Sequence, residues 1–229
     1  MANLELTGIL EKMTGKDKDY RYMATSDLLY ELNKEGFKLD VDLEAKLSNI
    51  VIQQLDDAAG DVSGLAVKCF DLASLNTLVP LVKKIREQQV LEMTNKLCDK
   101  LLNGKEQHRD IASIALKTIV GEVPSPSIAQ SVLVSISPKL IQGITAQGMS
   151  TEIKCECLDI MCDVLQKYGN VMASDHEVLL GALLSQLSLN QASVRKKAVS
   201  TIACLMICWL KLLLKLFDFC RFSYRKAEL

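Results

Sequence analysis

The sequence predicts an all-α protein built as a solenoid of about five helical hairpins. The main reason is a short pattern that occurs five times along the chain at nearly even intervals. The composition agrees, because the helix formers Leu, Lys and Ala are abundant while the chain holds only 11 Gly and 4 Pro. In addition, no alternating apolar run bounded by hairpin turns predicts a β-strand.

In each copy of the pattern a residue that we call the anchor, basic in four copies and Ser in one, precedes a small residue by three positions. An apolar residue follows the anchor by seven positions. The anchors recur roughly every 40–47 residues, which is the period of the helical hairpins in HEAT and armadillo repeats. The sequence therefore predicts a HEAT/armadillo-type α-solenoid. The anchors are Arg21, Ser63, Arg109, Lys154 and Arg195, and the small residues are Ala24, Ala66, Ala112, Cys157 and Ala198.

The anchor lies in the second helix of each hairpin, where the small residue allows a neighbouring helix to approach closely. Turn-forming residues stand six positions before the anchor in four of the five copies, so the tight turn between paired helices is predicted there. These turn positions are Gly15, Asp57, Asn103 and Gly148, with Leu189 in the fifth copy. The first helices are then predicted near 3–14, 42–56, 90–102, 128–145 and 175–188.

Local signals support individual helices. The stretch "LEAKLSNIVIQQL" carries apolar residues at the 3.6-residue period of a helix with one buried face. Ser174-Asp175 is expected to cap the start of the fifth first helix. Pro138 falls inside the fourth and is expected to kink it, because proline removes a helical hydrogen bond.

Charge and cysteine usage limit the class of protein. The 27 Lys and Arg nearly balance 28 Asp and Glu, so no net attraction to nucleic acid or to an anionic membrane is expected. The eight Cys lie within apolar helical patterns and not at spaced loop positions, and no basic start or secretory signal precedes them. We therefore expect buried free thiols and a reducing compartment, the cytoplasm and nucleus.

No motif predicts catalysis, a metal or a cofactor. Cys155 and Cys157 in "CEC" point to opposite faces of a helix and have no nearby His or CxxC partner, so buried small residues are the better interpretation. "GILEKMTGKD" departs from a phosphate-binding loop in spacing and lacks the hydroxyl residue. His108 occupies a repeat position. His176 is expected to have a capping role in the first turn of a helix. We predict a protein that is not an enzyme and has no small-molecule substrate.

Two charged stretches are candidate binding surfaces. "VRKKA" spreads its basic residues around a helix and forms no stripe that could follow a phosphate backbone, so a solvated face is expected. "GKDKDYRY" is mixed in sign and predicts an exposed turn at a helix start. It is also a possible partner surface, since Tyr is common among interface anchors. Its residues are Lys16, Lys18, Tyr20 and Tyr22.

Several unbroken stretches resemble one family. "ILEKMTGKDKDYRYMATSDLLYELNKE", "QQLDDAAGDVSGLAVKC", "MTNKLCDKLLNGKEQHRDIASIALKTIV" and "GMSTEIKCECLDIMCDVLQKYG" are similar to the start of the cullin-associated, neddylation-dissociated proteins, over residues 1–69 and 80–205. The resemblance implies a long HEAT-repeat solenoid that wraps cullins lacking their ubiquitin-like modifier. It also implies exchange of substrate receptors on SCF and other cullin–RING ubiquitin ligases. The amino-terminal repeats of the family embrace the RING-bearing end of the cullin, and a far carboxy-terminal part displaces the adaptor.

The chain departs from the family in two places. An apolar insertion at about 70–79 separates "LAVKC" from "PLVKK" and is expected to extend or duplicate a helical turn. After "STIACL" the family continues with a polar turn, whereas this chain continues with "MICWLKLLLKLFDFCRFSYRKAEL". We therefore predict a HEAT-repeat solenoid over 1–205 and a divergent amphipathic tail over 206–229, as in a truncated isoform.

The tail leaves three alternatives open: a cap on the last repeat, a helix on a membrane surface, or an exposed apolar patch. Its uncharged stretch, 198–210, is shorter than the ~20 residues that a membrane-spanning helix needs. The apolar face is too broad for one neighbour to cover, which favours an exposed patch. The predicted patch consists of Trp209, Leu213, Leu216 and Phe217.

These observations predict a protein-binding module whose partner is the unmodified cullin–RING complex. Because the chain holds only the first repeats, binding is expected to be weak and receptor exchange absent. The alternatives are a generic HEAT-repeat adaptor for another partner and an adaptor tethered to a membrane surface through the tail.

Overall fold

A computed structural model describes residues 2–34, 41–76, 87–122, 126–169 and 176–227, and every regular element within these ranges is an α-helix. The helices are α1 Ala2–Met13, α2 Lys18–Leu32, α3 Val41–Gln54, α4 Gly60–Asn76, α5 Glu87–Asn103, α6 Glu106–Glu122, α7 Pro126–Thr145, α8 Thr151–Tyr168, α9 His176–Gln186 and α10 Ala192–Ala227. The described residues thus confirm the all-α prediction.

The helix contacts divide the chain into two compact units, Met1–Ile136 and Ser137–Leu229. In the first unit α1 packs on α2, α3 on α4 and α5 on α6, which forms three hairpins. The first helices α1, α3 and α5 neighbour one another in one layer, and the second helices α2, α4 and α6 form the other. Stacked hairpins of this kind are the arrangement of a HEAT/armadillo solenoid, as predicted, because each repeat covers the apolar face of the next.

The core of the first unit lies between its two layers. Leu10 of α1, Leu28 of α2, Leu97 of α5 and Leu116 of α6 are all fully buried. The small residues Ala24, Ala66 and Ala112 are buried as well, in α2, α4 and α6 respectively. A side chain of one carbon at these places allows the second helices to pack closely side by side.

In the second unit α10 packs against both α8 and α9. α8 begins after Ser150, whose hydroxyl accepts a hydrogen bond from the Ile153 amide and so caps the helix. The small residues Cys157 of α8 and Ala198 of α10 are fully buried. The turn before α8 uses Gly148 at a φ of 84°, a conformation that glycine adopts without steric penalty.

The predicted first helices near 3–14, 42–56, 90–102, 128–145 and 175–188 correspond to α1, α3, α5, α7 and α9. Pro138 lies inside α7, which continues on both sides of it. The expected cap at 174–175 lies outside the described residues. Within the predicted insertion, α4 continues through 70–76, and 77–79 lie outside the described residues.

The predicted tail is not separated from the last repeat in backbone structure. α10 is a single helix of 36 residues that crosses the predicted boundary between 205 and 206. Its first half carries the buried residues Ala198, Leu205 and Cys208. The division into 1–205 and 206–229 therefore stays a prediction from the sequence.

Candidate protein-binding groove

The anchor Arg21 connects the first two hairpins. Its Nε and Nη2 donate to the two carboxylate oxygens of Asp57 at 2.6 and 2.9 Å. Its Nη1 donates to the carbonyl oxygens of Gly15 and Lys16 at 3.1 and 2.7 Å, in the turn after α1. One guanidinium therefore holds its own turn and the turn of the next hairpin, and uses the fork geometry that suits a carboxylate.

Asp57 in turn fixes the start of α4. Its Oδ1 also accepts a hydrogen bond from the Ala59 amide at 2.8 Å, just before the helix begins. The hydrogen bond from Arg21 lowers the pKa of the Asp57 carboxyl from its ordinary 3.8, and this outweighs the opposite effect of burial. The same pair raises the pKa of Arg21, chiefly through the hydrogen bond to Asp57. Both groups are thus ionised at neutral pH.

Two other anchors form a similar contact with the preceding turn. Ser63 donates through its hydroxyl to the Leu55 carbonyl at 2.9 Å, and Arg195 donates through Nη1 to the Leu189 carbonyl at 2.5 Å. These carbonyls stand near the ends of the first helices, where a helix leaves its last carbonyls without helical partners. A shared structural function thus explains why Ser can replace a basic residue in this position.

The remaining anchors differ. Lys154 is buried, and its Nζ lies 3.5 Å from the Oε1 of Gln186 in α9. Arg109 is half-buried in the first turn of α6. The five anchors therefore share a place in the hairpin but not one hydrogen-bonding pattern.

Further polar contacts between hairpins were not predicted from the sequence. The buried Gln54 donates to the Met13 carbonyl at 3.0 Å and accepts from the Thr25 hydroxyl at 2.7 Å, so it joins α3 to both helices of the first hairpin. Lys96 of α5 lies 2.8 Å from an Asp56 carboxylate oxygen and donates to the Ile52 carbonyl at 3.1 Å. Both are ordinary polar residues on helical faces, and only the stacking shows which partner they meet.

A groove of about 620 Å³ lies beside the Arg21–Asp57 pair. One wall comes from the first turns of α2 and the other from the start of α4, at 58–62. Ala58, Ala59 and Gly60 carry little side chain, so the groove stays open. Lys18, Asp19, Arg21, Tyr22, Asp61 and Val62 complete the lining. The lining thus combines charged side chains with small apolar ones, and polar and apolar groups occur together in protein–protein interfaces.

The predicted partner surface is exposed in all its residues. Tyr20 and Tyr22 expose 60% and 45% of their surface, so both rings are accessible to a partner. Lys18 and Tyr22 line the groove, whereas Lys16 and Tyr20 lie outside its lining. The structure thus adds Arg21, Asp61 and the 58–60 segment to the residues that the sequence suggested.

The structure describes the side chains of two of the four residues in the predicted tail patch. Leu213 is exposed, and its neighbours Met206, Ile207, Leu210 and Leu214 are at least half exposed as well. Trp209 departs from the expected exposure: it is half-buried, and its ring stacks on His176 of α9 with the centroids 5.8 Å apart. The side chains of Leu216 and Phe217 lie outside the described residues.

Nothing in the described residues forms a cluster of His, Cys, Asp or Glu that could hold a metal ion. Cys155 and Cys157 are both buried, and burial raises the pKa of Cys157 to about 12, so its thiol stays protonated. Of the helices that the structure describes, none is long and apolar enough to cross a membrane.

Proteins of similar sequence are named cullin-associated NEDD8-dissociated protein 1 or 2. Cullin-associated NEDD8-dissociated protein 1 of Arabidopsis thaliana is 65% identical over 207 residues, which are 90% of this chain and 16% of that protein. The protein of that name from Drosophila melanogaster is 40% identical over 205 residues, 89% of this chain and 16% of its own length. In Emericella nidulans a protein named as the N-terminal part of Cullin-associated NEDD8-dissociated protein 1 is 24% identical over 231 residues, 88% of this chain and 66% of the relative.

Among solved structures, the N-terminal domain of MAST/Orbit matches 86% of this chain and 81% of its own, with a TM-score of 0.56 at 15% sequence identity. At that identity the likeness concerns the fold alone. No protein-family model matches the chain. The chain spans 16% of the length of the plant and insect relatives. Over the residues that it shares with them, the chain is similar to the cullin-associated NEDD8-dissociated proteins and matches the N-terminal part of such a protein.

Proposed function

We propose that this chain is a non-enzymatic binding module for cullin–RING ubiquitin ligases, and that it binds through the surface around its first hairpin turn. The observation that carries the proposal is the 65% identity with a protein named for its association with cullins. The partner is the cullin–RING complex that lacks its ubiquitin-like modifier, met in the cytoplasm and nucleus.

The first hairpin turn suits this function because its surface is both exposed and held in place. Tyr22 lines the groove and Tyr20 stands next to it, so two large rings are available to a partner. Arg21 and Asp57 hold the two walls together through a two-bond contact. A site fixed in this way before binding loses little conformational entropy when the partner arrives.

The short length of the chain limits the expected activity. Contacts along a solenoid add up from repeat to repeat, so a segment that spans 16% of the relatives holds a small share of them. We therefore expect weak binding to the cullin–RING complex. We also expect no acceleration of substrate-receptor exchange. The resemblance implies that a far carboxy-terminal part of these proteins carries out that step.

The test is a titration of the 229-residue chain against an unmodified cullin–RING complex, with the modified complex as a negative control. Tyr22→Ala is expected to weaken binding roughly 5- to 10-fold, as the loss of an interface aromatic does. Tyr30→Ala is the matched control, since Tyr30 lies on the same helix, is 67% exposed and is outside the groove lining.

Each outcome decides a separate point. Equal effects of Tyr22→Ala and Tyr30→Ala would place the binding surface elsewhere. Saturable binding to some other protein, with none to the cullin–RING complex at the highest soluble concentration, would favour a generic HEAT-repeat adaptor. Accelerated exchange of substrate receptors by this chain would show that the active part lies within it.

A further inference from the structure

Two cysteines of the second unit face each other across a packed helix pair. The Sγ atoms of Cys162 in α8 and Cys204 in α10 lie 3.2 Å apart, although 42 residues separate them in sequence. Both side chains are half-buried, whereas the other cysteines whose burial the structure describes are buried. Because an S–S bond is about 2.05 Å long, the two sulfur atoms would need to approach by roughly 1.2 Å to form one.

The contacts around the pair fix this juxtaposition. On one side, Lys197 forms an ion pair with Asp159, and the Thr201 hydroxyl donates to the Leu158 carbonyl at 3.3 Å. On the other side, the Cys208 thiol donates to the Leu165 carbonyl at 3.1 Å. These contacts follow one another turn by turn along α10, so the register of α10 on α8 holds Cys204 opposite Cys162.

The cysteine pair lies close to the surface of the protein. Gln166 is exposed, and its amide Nε2 lies 3.5 Å from both sulfur atoms. Partial burial, with the neighbouring Cys204, raises the pKa of Cys162 to about 12. Because the thiolate is the attacking species, the pair is expected to react slowly at neutral pH and to stay reduced until an oxidant persists.

We propose that Cys162 and Cys204 are a modification site, at which a small disulfide oxidant such as glutathione disulfide forms a reversible intramolecular bond that locks α10 to α8. The thiolate of one cysteine attacks glutathione disulfide and releases one glutathione. The other cysteine then attacks the mixed disulfide and releases the second. Two protein thiols lose two electrons and two protons, one S–S bond forms, and one glutathione disulfide becomes two glutathione thiols.

The disulfide would restrain the stacking of the repeats. In a solenoid each repeat contacts only its neighbours, so the α8–α10 contact holds the last hairpin in place. A covalent link there removes sliding between the two helices and closes a long loop of the unfolded chain. The oxidised chain is therefore expected to unfold at a higher temperature than the reduced one.

The experiment uses the whole reduced chain and glutathione disulfide. After incubation, free thiols are blocked with an alkylating reagent and the protein is digested and analysed by mass spectrometry without reduction. The expected product is a peptide pair joined through Cys162 and Cys204, with no glutathione attached and no dimer formed. Its unfolding midpoint is expected to rise by about 5 °C or more and to return on reduction.

Variants separate this pair from the other thiols. Cys204→Ser and, in case serine impairs folding, Cys204→Ala are expected to trap glutathione on Cys162 and to show no reversible rise in the midpoint. Cys155→Ser, on the same helix, is expected to oxidise as the parent does. Separate glutathione adducts on both cysteines, a link to Cys208 or Cys220, or a disulfide between two chains would overturn the proposal, and so would a bond that lowers the midpoint.

Discussion

Substitutions at Gly64 and His108 test how the second and third hairpins stack. Gly64 lies in α4, where a Cβ atom would stand 2.2 Å from Nε2 and 2.5 Å from Cε1 of His108 in α6. Such distances are too short for atoms that are not bonded, so Gly64→Ala requires the imidazole to move. Forcing extra volume into a packed interface costs about 1–3 kcal/mol.

A second effect opposes the first. Alanine inside a helix is more favourable than glycine by about 1 kcal/mol. With a packing cost of about 2 kcal/mol, the middle of that range, and the opposing gain of about 1 kcal/mol, we expect Gly64→Ala to lower the free energy of unfolding by about 1 kcal/mol. In the His108→Ala background the obstacle is gone, and Gly64→Ala is expected to stabilise by about 0.5–1 kcal/mol.

The assay is thermal unfolding of the four proteins of this double-mutant cycle, followed by far-ultraviolet circular dichroism. For a chain of this size 1 kcal/mol corresponds to roughly 2–4 °C in the midpoint. The expected result is a change of sign: Gly64→Ala lowers the midpoint in the parent and raises it beside His108→Ala. The same shift in both backgrounds would refute the contact between Gly64 and His108.

The same site predicts a dependence on pH. Burial, with the nearby Lys105, Lys100 and Lys68, lowers the pKa of His108 from its ordinary 6.5. The unfolded chain then binds a proton more readily than the folded one, so stability is full above about pH 6.5 and falls as the pH drops toward the folded pKa. The difference in unfolding midpoint between the parent and His108→Ala should change over this pH window. Because both proteins contain His176, taking the difference cancels the contribution of that residue.

Three further outcomes are expected. Ala112→Phe overpacks the fully buried position in α6 and should lower the free energy of unfolding by about 1–3 kcal/mol, and an unchanged midpoint would count against the repeat alignment. Asp57→Asn removes the carboxylate that Arg21 holds, so below about pH 3.8, where the parent loses this contribution, the variant should show a smaller acid-induced loss of stability; equal losses would argue that the pair is weak. Replacing the exposed Leu210 and Leu213 by lysine should raise the soluble fraction in sedimentation assays and leave the midpoint unchanged, and a clear fall in midpoint would show that these side chains are packed.

The sequence was most informative where a pattern repeats. The positions of α1, α3, α5, α7 and α9 followed from turn residues and anchors, because a repeated hairpin places the same residue types at the same offsets. The burial of Ala24, Ala66 and Ala112 agrees with the spacing for the same reason.

The specific partners could not be read from the sequence. Arg21 and Asp57 are 36 residues apart, and the repeat shows that both are near turns but not that one binds the other. Trp209 is predicted to be exposed because the apolar face of the amphipathic tail is too broad for one neighbour to cover, yet His176 of the neighbouring helix covers part of its ring. Contacts of this kind depend on the rotation of one hairpin on the next, which apolar periodicity does not determine.

The length of α10 gives its two halves different sources of stability. Cys208 contacts Leu165, and α8 ends one turn later at Tyr168, so α10 from about residue 212 onward runs past the end of its neighbour. Beyond that point α8 no longer supports α10, and helical propensity with the hydrogen bonds of the backbone is by itself marginal in water over so few turns. Amide hydrogen exchange should therefore be slow between 198 and 208 and rise steeply toward Ala227. If another helical pair packed against the second half of α10, amide exchange would be slow along the whole helix.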